Sequence, residues 1–313
     1  MYKGTMYNVH LPISKSIANR ILLLQAIHGD PLMRVSSDMP DDVIVLHDAL
    51  EKLREYKQSP ITNHQLPIVL HLKNCGTALR FLQVHLAKCY PGEPITLTGD
   101  PRLMERDGKP TSQTISALLM HGVEIPFEEN ESPYITMTRK VMERYKSPIT
   151  NDQSPIEADW SSASYWYEYV AIHGSELLLE GLTPDSIQGD RIVADIYARH
   201  FGVTTTFTPE GALLKSEALP MQHGVILDFT ATPDLYPAVA LTCEKLGITL
   251  TATGTERLKY KESDRLEAVR LHEVRNDHRI AMALMAADFP VSVEEQACIA
   301  KSYPNFVSTL KSL

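Results

Sequence analysis

The sequence predicts an α/β protein, because short β-branched or apolar runs alternate with helix-forming segments along the chain. The length of 313 residues, of which 43% are hydrophobic, allows a buried core in one large domain or in two of medium size. Residues 55–68 weakly resemble residues 144–156, and this internal similarity suggests a repeated supersecondary unit. A chance match of two proline-containing loops explains the similarity nearly as well.

The individual elements are predicted from apolar runs and from the polar residues that precede helices. Strands are predicted at 67–72, 93–99, 176–182, 203–207, 224–229 and 248–254. Helices are predicted to begin near Ser14, Gly76, Ser112, Ser161, Asp190, Asp234, Asp264 and His278.

Composition excludes several classes of protein. The formal net charge of −9 disfavours non-specific nucleic-acid binding, which needs a broad basic surface. The chain lacks an apolar run of about 18 residues, so no membrane span is expected. The first residues lack the pattern of an export signal, and we therefore expect a cytoplasmic protein. The four cysteines have no CxxC spacing, so neither a disulfide framework nor a zinc site is expected.

Polar residues and glycine stand directly before several apolar helices, in the stretches SKS, NCGT, TSQT and WSSASY. The first stretch adds Lys15 and Arg20 around Ser16, where cations are unusual because helix N-termini already carry partial positive charge. Each stretch by itself is explained by helix capping, with Ser14 as the cap of the first helix. Together they suggest helix N-termini that bind a polyanionic ligand, which in an acidic protein requires a local cluster of cations.

The densest group of charged residues is LKYKESDRLEAV at 258–269, which contains Lys261, Glu262, Asp264 and Arg265. The stretch RNDHR at 275–279 repeats this pattern before an apolar helix, and a lone Lys301 precedes an aromatic-proline turn. A charged helix start with a capping group is the simple interpretation of each stretch.

Seven motifs in this order resemble the enolpyruvyl transferase family from Leu11 to about Leu310. They are LPISKSIANRILLL, NCGTALRFL, LTGDPRLMER, DWSSASYWY, KESDRLEAV, NDHRIAMAL and AKSYPNF. The resemblance implies an inside-out α/β barrel of two domains built from repeated βαβ-type units. It implies one domain of residues 1–12 and 226–313, a second of residues 13–225, and an active site in a cleft that closes on the ligand.

The resemblance also implies an activity: transfer of the enolpyruvyl group of phosphoenolpyruvate to the 5-hydroxyl of shikimate 3-phosphate, with release of phosphate, in aromatic amino acid biosynthesis. By analogy, the residues that bind phosphoenolpyruvate are Lys15, Gly76, Arg106, Arg265, Arg279 and Lys301. Those that bind shikimate 3-phosphate are Ser16, Arg20, Thr111, Ser112, Gln113, Ser162, Tyr165, Asp234 and Lys261. No metal, organic cofactor, nucleic acid or membrane is expected as a partner, and the protein is expected to be a monomer.

The implied chemistry is addition followed by elimination, in which proton transfer by placed carboxylates contributes about 10²–10⁴-fold. Asp234 is the candidate base for the 5-hydroxyl, and a helix cap after Pro233 is the alternative interpretation of this residue. Glu262 is the candidate for the proton on the methylene carbon, and Lys261 is expected beside the hydroxyl. Which carboxylate moves which proton stays open at this point.

The chain is shorter than the family pattern at two joins, near 107–111 and near 270–276. Either the chain is a trimmed relative of the family, or the sequence as given omits disordered segments, and the second is favoured because the binding residues on both sides of each join are present. Two alternative functions stay open. One is transfer to a nucleotide-sugar acceptor, as in the UDP-N-acetylglucosamine enolpyruvyl transferases, although the loop cysteine of those enzymes has no counterpart in PRLMERDG. The other is a shortened, catalytically impaired relative that only binds ligand.

Overall fold

The computed structural model describes residues 7–58, 67–104, 111–129, 131–145, 156–218 and 223–313. These residues form two compact units, Lys15–Ile156 and Met1–Ser14 with Glu157–Leu313. The division differs from the expected domains 1–12 with 226–313 and 13–225. Residues 157–225 group with the C-terminal part of the chain, because their strands and helix pack with an N-terminal strand and with C-terminal helices.

The elements are numbered in chain order over the described residues. The strands are β1 (Tyr7–His10), β2 (Ile68–His71), β3 (Ile95–Thr98), β4 (Glu176–Glu180), β5 (Val203–Phe207), β6 (Gly211–Ser216), β7 (Gly224–Asp228) and β8 (Thr249–Thr253). The helices are α1 (Lys15–His28), α2 (Asp41–Gln58), α3 (Gly76–Cys89), α4 (Pro101–Met104), α5 (Ser112–Met120), α6 (Pro133–Arg144), α7 (Trp160–His173), α8 (Val193–His200), α9 (Tyr236–Leu246), α10 (Arg265–Leu271), α11 (His278–Ala286), α12 (Val293–Gln296) and α13 (Phe306–Leu310). Single 3₁₀ turns cover Gly189–Ile192, Pro233–Leu235, Glu256–Tyr260 and Ala297–Lys301.

All six predicted strands and all eight predicted helix starts are confirmed to within a few residues. Strands β1 and β6, helices α2 and α6, and the short helices α4, α12 and α13 were not predicted. Helix α2 begins at Asp41 after a proline, and α6 has a proline at its first position, so neither has the hydroxyl-rich head on which the prediction relied.

The unit Lys15–Ile156 contains one βαβ crossover. Strands β2 and β3 are parallel, with Ile68 beside Ile95, and α3 connects them. Helix α1 packs on α2 and α6, and α5 packs on α3 and α6. Phe81 of α3 is fully buried within this unit.

The unit of Met1–Ser14 and Glu157–Leu313 contains two sheets. The larger has the order β1-β4-β6-β5, in which β1 and β4 are parallel and β6 is antiparallel to both of its neighbours. The smaller pairs β7 with β8 in parallel, and α9 makes the crossover between them. The α/β class with βαβ-type units is therefore confirmed.

Helices occupy the interior of this second unit, and strands β7 and β8 lie on its outside. Helices α7 and α11 are buried over almost their whole length, and Trp160 and Trp166 of α7 are fully buried. In contrast, β8 has no buried residue, and Ile226 of β7 is 75% exposed. A helix that is apolar around its circumference belongs in a core, as α11 shows. Within the described ranges, no helix is both long enough and apolar enough to cross a lipid bilayer.

Candidate active site

A network of charged side chains centres on Arg265, the first residue of α10, whose side chain is 1% exposed. Its three nitrogens bind three different carboxylates. Nη1 lies 2.7 Å from Asp234 Oδ1, Nη2 lies 2.7 Å from Glu262 Oε2, and Nε lies 2.8 Å from Asp277 Oδ2. Because charge-assisted hydrogen bonds of this length are strong, the guanidinium holds three segments of the chain in one arrangement.

Three further cations complete the network. Lys261 Nζ lies 3.3 Å from Asp234 Oδ1, and Arg279 Nη2 lies 3.0 Å from Asp234 Oδ2. Lys301 Nζ lies 2.9 Å from Glu262 Oε1. Four cations thus surround these three carboxylates. Phosphate and carboxylate groups of a ligand can accept hydrogen bonds from such cations.

The helix starts explain why these residues meet. Asp264 caps α10 by accepting a hydrogen bond from the Glu267 backbone N–H, and Asp277 caps α11 by accepting one from Arg279 at 3.0 Å. The short segment that connects α10 to α11 contains His272, Arg275 and Asn276, which all have positive φ angles. This backbone is strained for side-chain-bearing residues, and such strain is typical of functional sites.

The charges shift the pKa values in opposite directions. Burial by itself would raise the pKa of Asp234, but Arg279, Lys261 and Arg265 hold it well below its usual value. Burial would likewise lower the pKa of Arg265, and Asp277, Glu262 and Asp234 raise it instead. Both groups are therefore fully charged at neutral pH. The helix-cap interpretation of Asp234 is not supported, because its carboxylate faces cations and no side-chain cap is present at this turn.

Helix α7 brings two of the predicted residues into the same unit. The Ser162 hydroxyl donates to Asp159 Oδ2 at 2.7 Å, and Asp159 caps the helix. Tyr165 is fully buried. Burial raises the pKa of Tyr165, and the nearby charges of Arg279 and Arg265 oppose that shift. Tyr165 is thus a neutral hydroxyl beside the cationic network.

Asp190 is an acidic group that sequence reasoning did not assign to the site. Its carboxylate accepts a hydrogen bond from the Ser161 hydroxyl. Burial and the neighbouring Asp234 raise its pKa to about 6, although Ser161 and Arg279 oppose the shift. A carboxyl group with this pKa can gain or lose a proton near neutrality.

The unit Lys15–Ile156 holds the remaining predicted residues that the structure describes. Lys15 Nζ forms an ion pair of 2.9 Å with Asp42 Oδ2 on α2, and Ser16 is the next residue of α1. The hydroxyl of Ser14 has no hydrogen-bond partner among the described residues, so its side chain does not cap α1. The capping interpretation of this first motif is therefore not supported.

Arg20 is buried and bound by protein groups. Its guanidinium donates to Thr138 Oγ1 at 2.7 Å, to the Ser16 carbonyl at 2.7 Å and to the Tyr134 carbonyl at 2.8 Å, and also reaches the Ser116 hydroxyl. Burial lowers its pKa to about 10, so the charge is retained at neutral pH. These contacts join α1 to α5 and α6 and hold the helix that carries Lys15 and Ser16.

Two helix N-termini in this unit are connected directly. Gly76 begins α3, and Thr111 caps α5 in a reciprocal capping box with Thr114. Ser112 is the first residue of α5, and Gln113 Nε2 donates to Thr77 Oγ1 at 2.8 Å. The hydrogen bond fixes these two positive helix ends beside each other.

The structure thus groups the predicted residues within each unit. Those of the network and its surroundings are Ser162, Tyr165, Asp234, Lys261, Glu262, Arg265, Arg279 and Lys301. Those in the unit Lys15–Ile156 are Lys15, Ser16, Arg20, Gly76, Thr111, Ser112 and Gln113. Arg106 lies outside the described residues.

Sequence reasoning did not assign to the site two carboxylates that bind predicted cations, namely Asp42 and Asp277. The capping interpretation of the RNDHR stretch is confirmed by Asp277, but its ion pair with Arg265 was not predicted. No local signal connects Asp42 with Lys15, because 27 residues and a helix boundary separate them.

Comparison with known proteins identifies the family. The family model for EPSP synthase (3-phosphoshikimate 1-carboxyvinyltransferase) matches residues 5–146 and 130–272 of the chain. The chain belongs to the EPSP synthase family.

Individual relatives agree with this family. The 3-phosphoshikimate 1-carboxyvinyltransferase of Bacteroides fragilis strain YCH46 is 29% identical over 403 residues, which cover 97% of this chain and 94% of that protein. The enzymes of the same name from Methanosphaerula palustris and Colwellia psychrerythraea are 26% and 28% identical, each with 96% of this chain and 95% of the relative covered. The aligned lengths exceed the 313 residues of the chain, so it carries internal deletions relative to these enzymes.

Proposed function

We propose that this chain transfers the enolpyruvyl group of phosphoenolpyruvate to the 5-hydroxyl of shikimate 3-phosphate and releases phosphate. Membership of the EPSP synthase family and the names of its relatives support this activity. The observation that carries it in the structure is the buried network in which four cations hold Asp234 and Glu262. Both substrates are multiply anionic, and the cations of this network can donate charge-assisted hydrogen bonds to them.

We assign the binding of phosphoenolpyruvate to cations and to Gly76, where the substrate can approach the backbone closely. Arg265, Arg279 and Lys301 already share the carboxylates of the network, and phosphate and carboxylate groups of the substrate can replace those carboxylates as acceptors. The full proposed set is Lys15, Gly76, Arg106, Arg265, Arg279 and Lys301.

We assign the binding of shikimate 3-phosphate to hydroxyls, an amide, two further cations and the carboxylate of Asp234. Ser112 and Gln113 offer polar groups at a helix N-terminus, which suits a phosphate. Tyr165 offers a neutral buried hydroxyl. The full proposed set is Ser16, Arg20, Thr111, Ser112, Gln113, Ser162, Tyr165, Asp234 and Lys261.

In the addition step, the oxygen of the 5-hydroxyl bonds to C2 of phosphoenolpyruvate. The hydroxyl proton passes to Asp234, and the methylene carbon gains a proton from Glu262, which acts in its protonated form. In the elimination step, the methyl carbon returns a proton to Glu262, the double bond between C2 and the methylene carbon re-forms, the C2–O bond to phosphate breaks, and the phosphate leaves with the proton from Asp234. Lys261 lies 3.3 Å from Asp234 and stabilises negative charge as it develops on the 5-oxygen.

Substrate binding itself makes Asp234 a better base. Arg279, Lys261 and Arg265 hold its pKa well below the usual value, against the effect of burial. When substrate anions take over part of the hydrogen bonding from Arg279 and Arg265, the pKa of Asp234 rises towards the range in which a carboxylate accepts protons effectively. The carboxylate is therefore activated only after the anion has bound.

The test is phosphate release from phosphoenolpyruvate with shikimate 3-phosphate or with UDP-N-acetylglucosamine as the acceptor. We expect turnover with the first acceptor alone, and a loss of kcat of about 10²–10⁴-fold in Asp234→Asn and Glu262→Gln. Asp195→Asn is the matched control, because Asp195 is an exposed carboxylate on α8 that pairs only with Arg191 in the contacts described. It should retain full activity.

The two alternative functions give different outcomes. Turnover with the nucleotide sugar alone would show the other acceptor class. Calorimetric binding of shikimate 3-phosphate without turnover would show an impaired, ligand-binding relative. We also propose that the enzyme acts as a cytoplasmic monomer, which light scattering of the purified chain tests for the monomer and cell fractionation tests for the location.

A further inference from the structure

Three side chains with metal-binding atoms meet in the unit Lys15–Ile156, away from the residues proposed to bind substrate. They are His85, Cys89 and His121, and one ligand atom from each lies within 4.8 Å of the other two. The ring nitrogens His85 Nδ1 and His121 Nε2 are 3.3 Å apart. His85 is buried, His121 is partly buried and Cys89 is exposed, so the cluster opens to solvent on the side of Cys89.

Two packed helices supply these residues. His85 and Cys89 are four residues apart on α3 and therefore lie on one face of it. His121 ends α5, which packs against α3. The sequence lacked a CxxC signal because the third side chain comes from a separate helix, 36 residues after His85.

The distances fit tetrahedral metal coordination. Two imidazole nitrogens bound to Zn²⁺ at 2.0–2.1 Å in a tetrahedral arrangement lie about 3.3–3.4 Å apart. The His85–His121 separation of 3.3 Å agrees with this value. A hydrogen bond between two neutral imidazoles gives a similar distance, but it leaves the nearby thiol of Cys89 without a role.

We propose that His85, Cys89 and His121 form a zinc site that joins the C-terminal ends of α3 and α5, with water as the fourth ligand. Two nitrogens and one sulfur are the donor set that suits a borderline-soft divalent ion such as Zn²⁺. The hydroxyl of the neighbouring Tyr90 donates to the Leu53 carbonyl and is not available as a ligand.

The site would stabilise the helices that carry proposed substrate-binding residues. His85 lies nine residues after Gly76, and His121 nine residues after Ser112, so each ligand is about 13 Å along its helix from the N-terminus. A metal ion at one end of the pair and the Gln113–Thr77 hydrogen bond at the other would fix the two helices at both ends.

The direct test is titration of the metal-free full-length chain with Co²⁺, which reports a thiolate ligand through charge-transfer absorption in the near ultraviolet. We expect one equivalent to bind with this absorption, and Cys89→Ala to lose it. Zinc competition against a chromophoric chelator should show at least about tenfold weaker binding in Cys89→Ala and His121→Ala. Cys89 is exposed and His121 ends a helix, so both variants are expected to fold.

Controls use the same residue types elsewhere. Cys298→Ser and His71→Gln change a part-exposed thiol and an exposed imidazole and should bind Co²⁺ and Zn²⁺ as the unsubstituted chain does. As an independent readout, Zn²⁺ at a hundredfold excess over its Kd should raise the Tm of the unsubstituted chain by about 5–10 °C and leave Cys89→Ala unchanged.

The proposal is overturned if the unsubstituted chain binds Co²⁺ without thiolate absorption, or if Cys89→Ala binds zinc as tightly as Cys298→Ser. Binding at millimolar metal only would also overturn it and would leave a histidine–histidine hydrogen bond as the explanation of the pair.

Discussion

At the scale of single residues, Arg265 shows why the network needs a guanidinium. Its three nitrogens bind Asp234, Glu262 and Asp277 separately, and a lysine offers one nitrogen for all three. We expect Arg265→Met to lower the free energy of unfolding by about 3–5 kcal/mol, because three carboxylates would lose a buried partner. In urea denaturation, the free energy of unfolding of Arg265→Lys should lie between that of Arg265→Met and that of the unsubstituted protein.

The control for this prediction lies on the same helix. Arg270 is 69% exposed and pairs with Glu267, so Arg270→Met should change the free energy of unfolding by less than about 0.5 kcal/mol. Equal effects of the two substitutions would contradict the structural role of Arg265.

Glu168 makes the stability of the protein depend on pH. It is fully buried on α7, and neither carboxyl oxygen has a hydrogen-bond partner among the described residues. Burial raises its pKa well above the usual value, so the folded state keeps a proton that the unfolded state loses above about pH 4.5. Stability that is present below this pH is therefore lost as the pH rises, at about 1.4 kcal/mol per unit up to the folded pKa.

Glu168→Gln should remove this loss, since glutamine does not titrate. We expect the variant to gain stability over the unsubstituted protein progressively from pH 5 upwards in urea denaturation. Glu176→Gln, at an exposed glutamate paired with Lys215, is the matched control. A constant difference between Glu168→Gln and the unsubstituted protein at all pH values would show that Glu168 does not carry the raised pKa.

At the scale of elements, helix ends position the residues of the site, and a helix end in the left-handed conformation favours glycine over other residues. Helix α9, which follows Asp234, ends at Gly247 in the left-handed conformation with a φ of 68° and no neighbouring atom within 4 Å of an added Cβ. Gly247→Ala should therefore cost about 1 kcal/mol through backbone strain alone. Thermal unfolding measures this cost, with Gly224→Ala as the control.

Gly224 begins β7 without a positive φ, and a Cβ there would make only ordinary contacts with Thr249. Gly224→Ala should leave the Tm unchanged or raise it slightly, because alanine restricts the unfolded chain. An equal decrease of Tm in Gly247→Ala and Gly224→Ala would show that the left-handed conformation at Gly247 is not the cause of the lost stability.

The elements themselves were largely predictable because their signals are local. Six strands and eight helix starts were recognised from apolar runs and from caps, and the structure shows side-chain caps at Cys75, Thr111, Asp159, Asp264 and Asp277. Strand β6 was missed because its pairing with β4 and β5, rather than its composition, makes it a strand.

At the scale of the whole molecule, an acidic chain must bind anions through local cations. The formal net charge is −9, yet four cations meet in the Arg265 network. We have assigned both Lys15 and Lys301 to the binding of phosphoenolpyruvate. We therefore expect Lys15→Met and Lys301→Met each to raise the KM for phosphoenolpyruvate at least tenfold, because each loses a charge-assisted hydrogen bond of about 1.5–3 kcal/mol.

Lys215→Met is the control, because Lys215 is exposed and pairs with Glu176 on a sheet. Its KM should match that of the unsubstituted enzyme. A KM affected by Lys301→Met and not by Lys15→Met would remove Lys15 from the proposed site.

The sequence by itself determined the α/β class and most of the elements, because strand, helix and cap signals act over a few neighbouring residues. Only the tertiary structure decided how those residues are paired. Asp277 with Arg265, Asp42 with Lys15, and His121 with His85 and Cys89 are contacts between separate segments. They arise when the backbone turns and helices pack, and no local pattern of side chains records them.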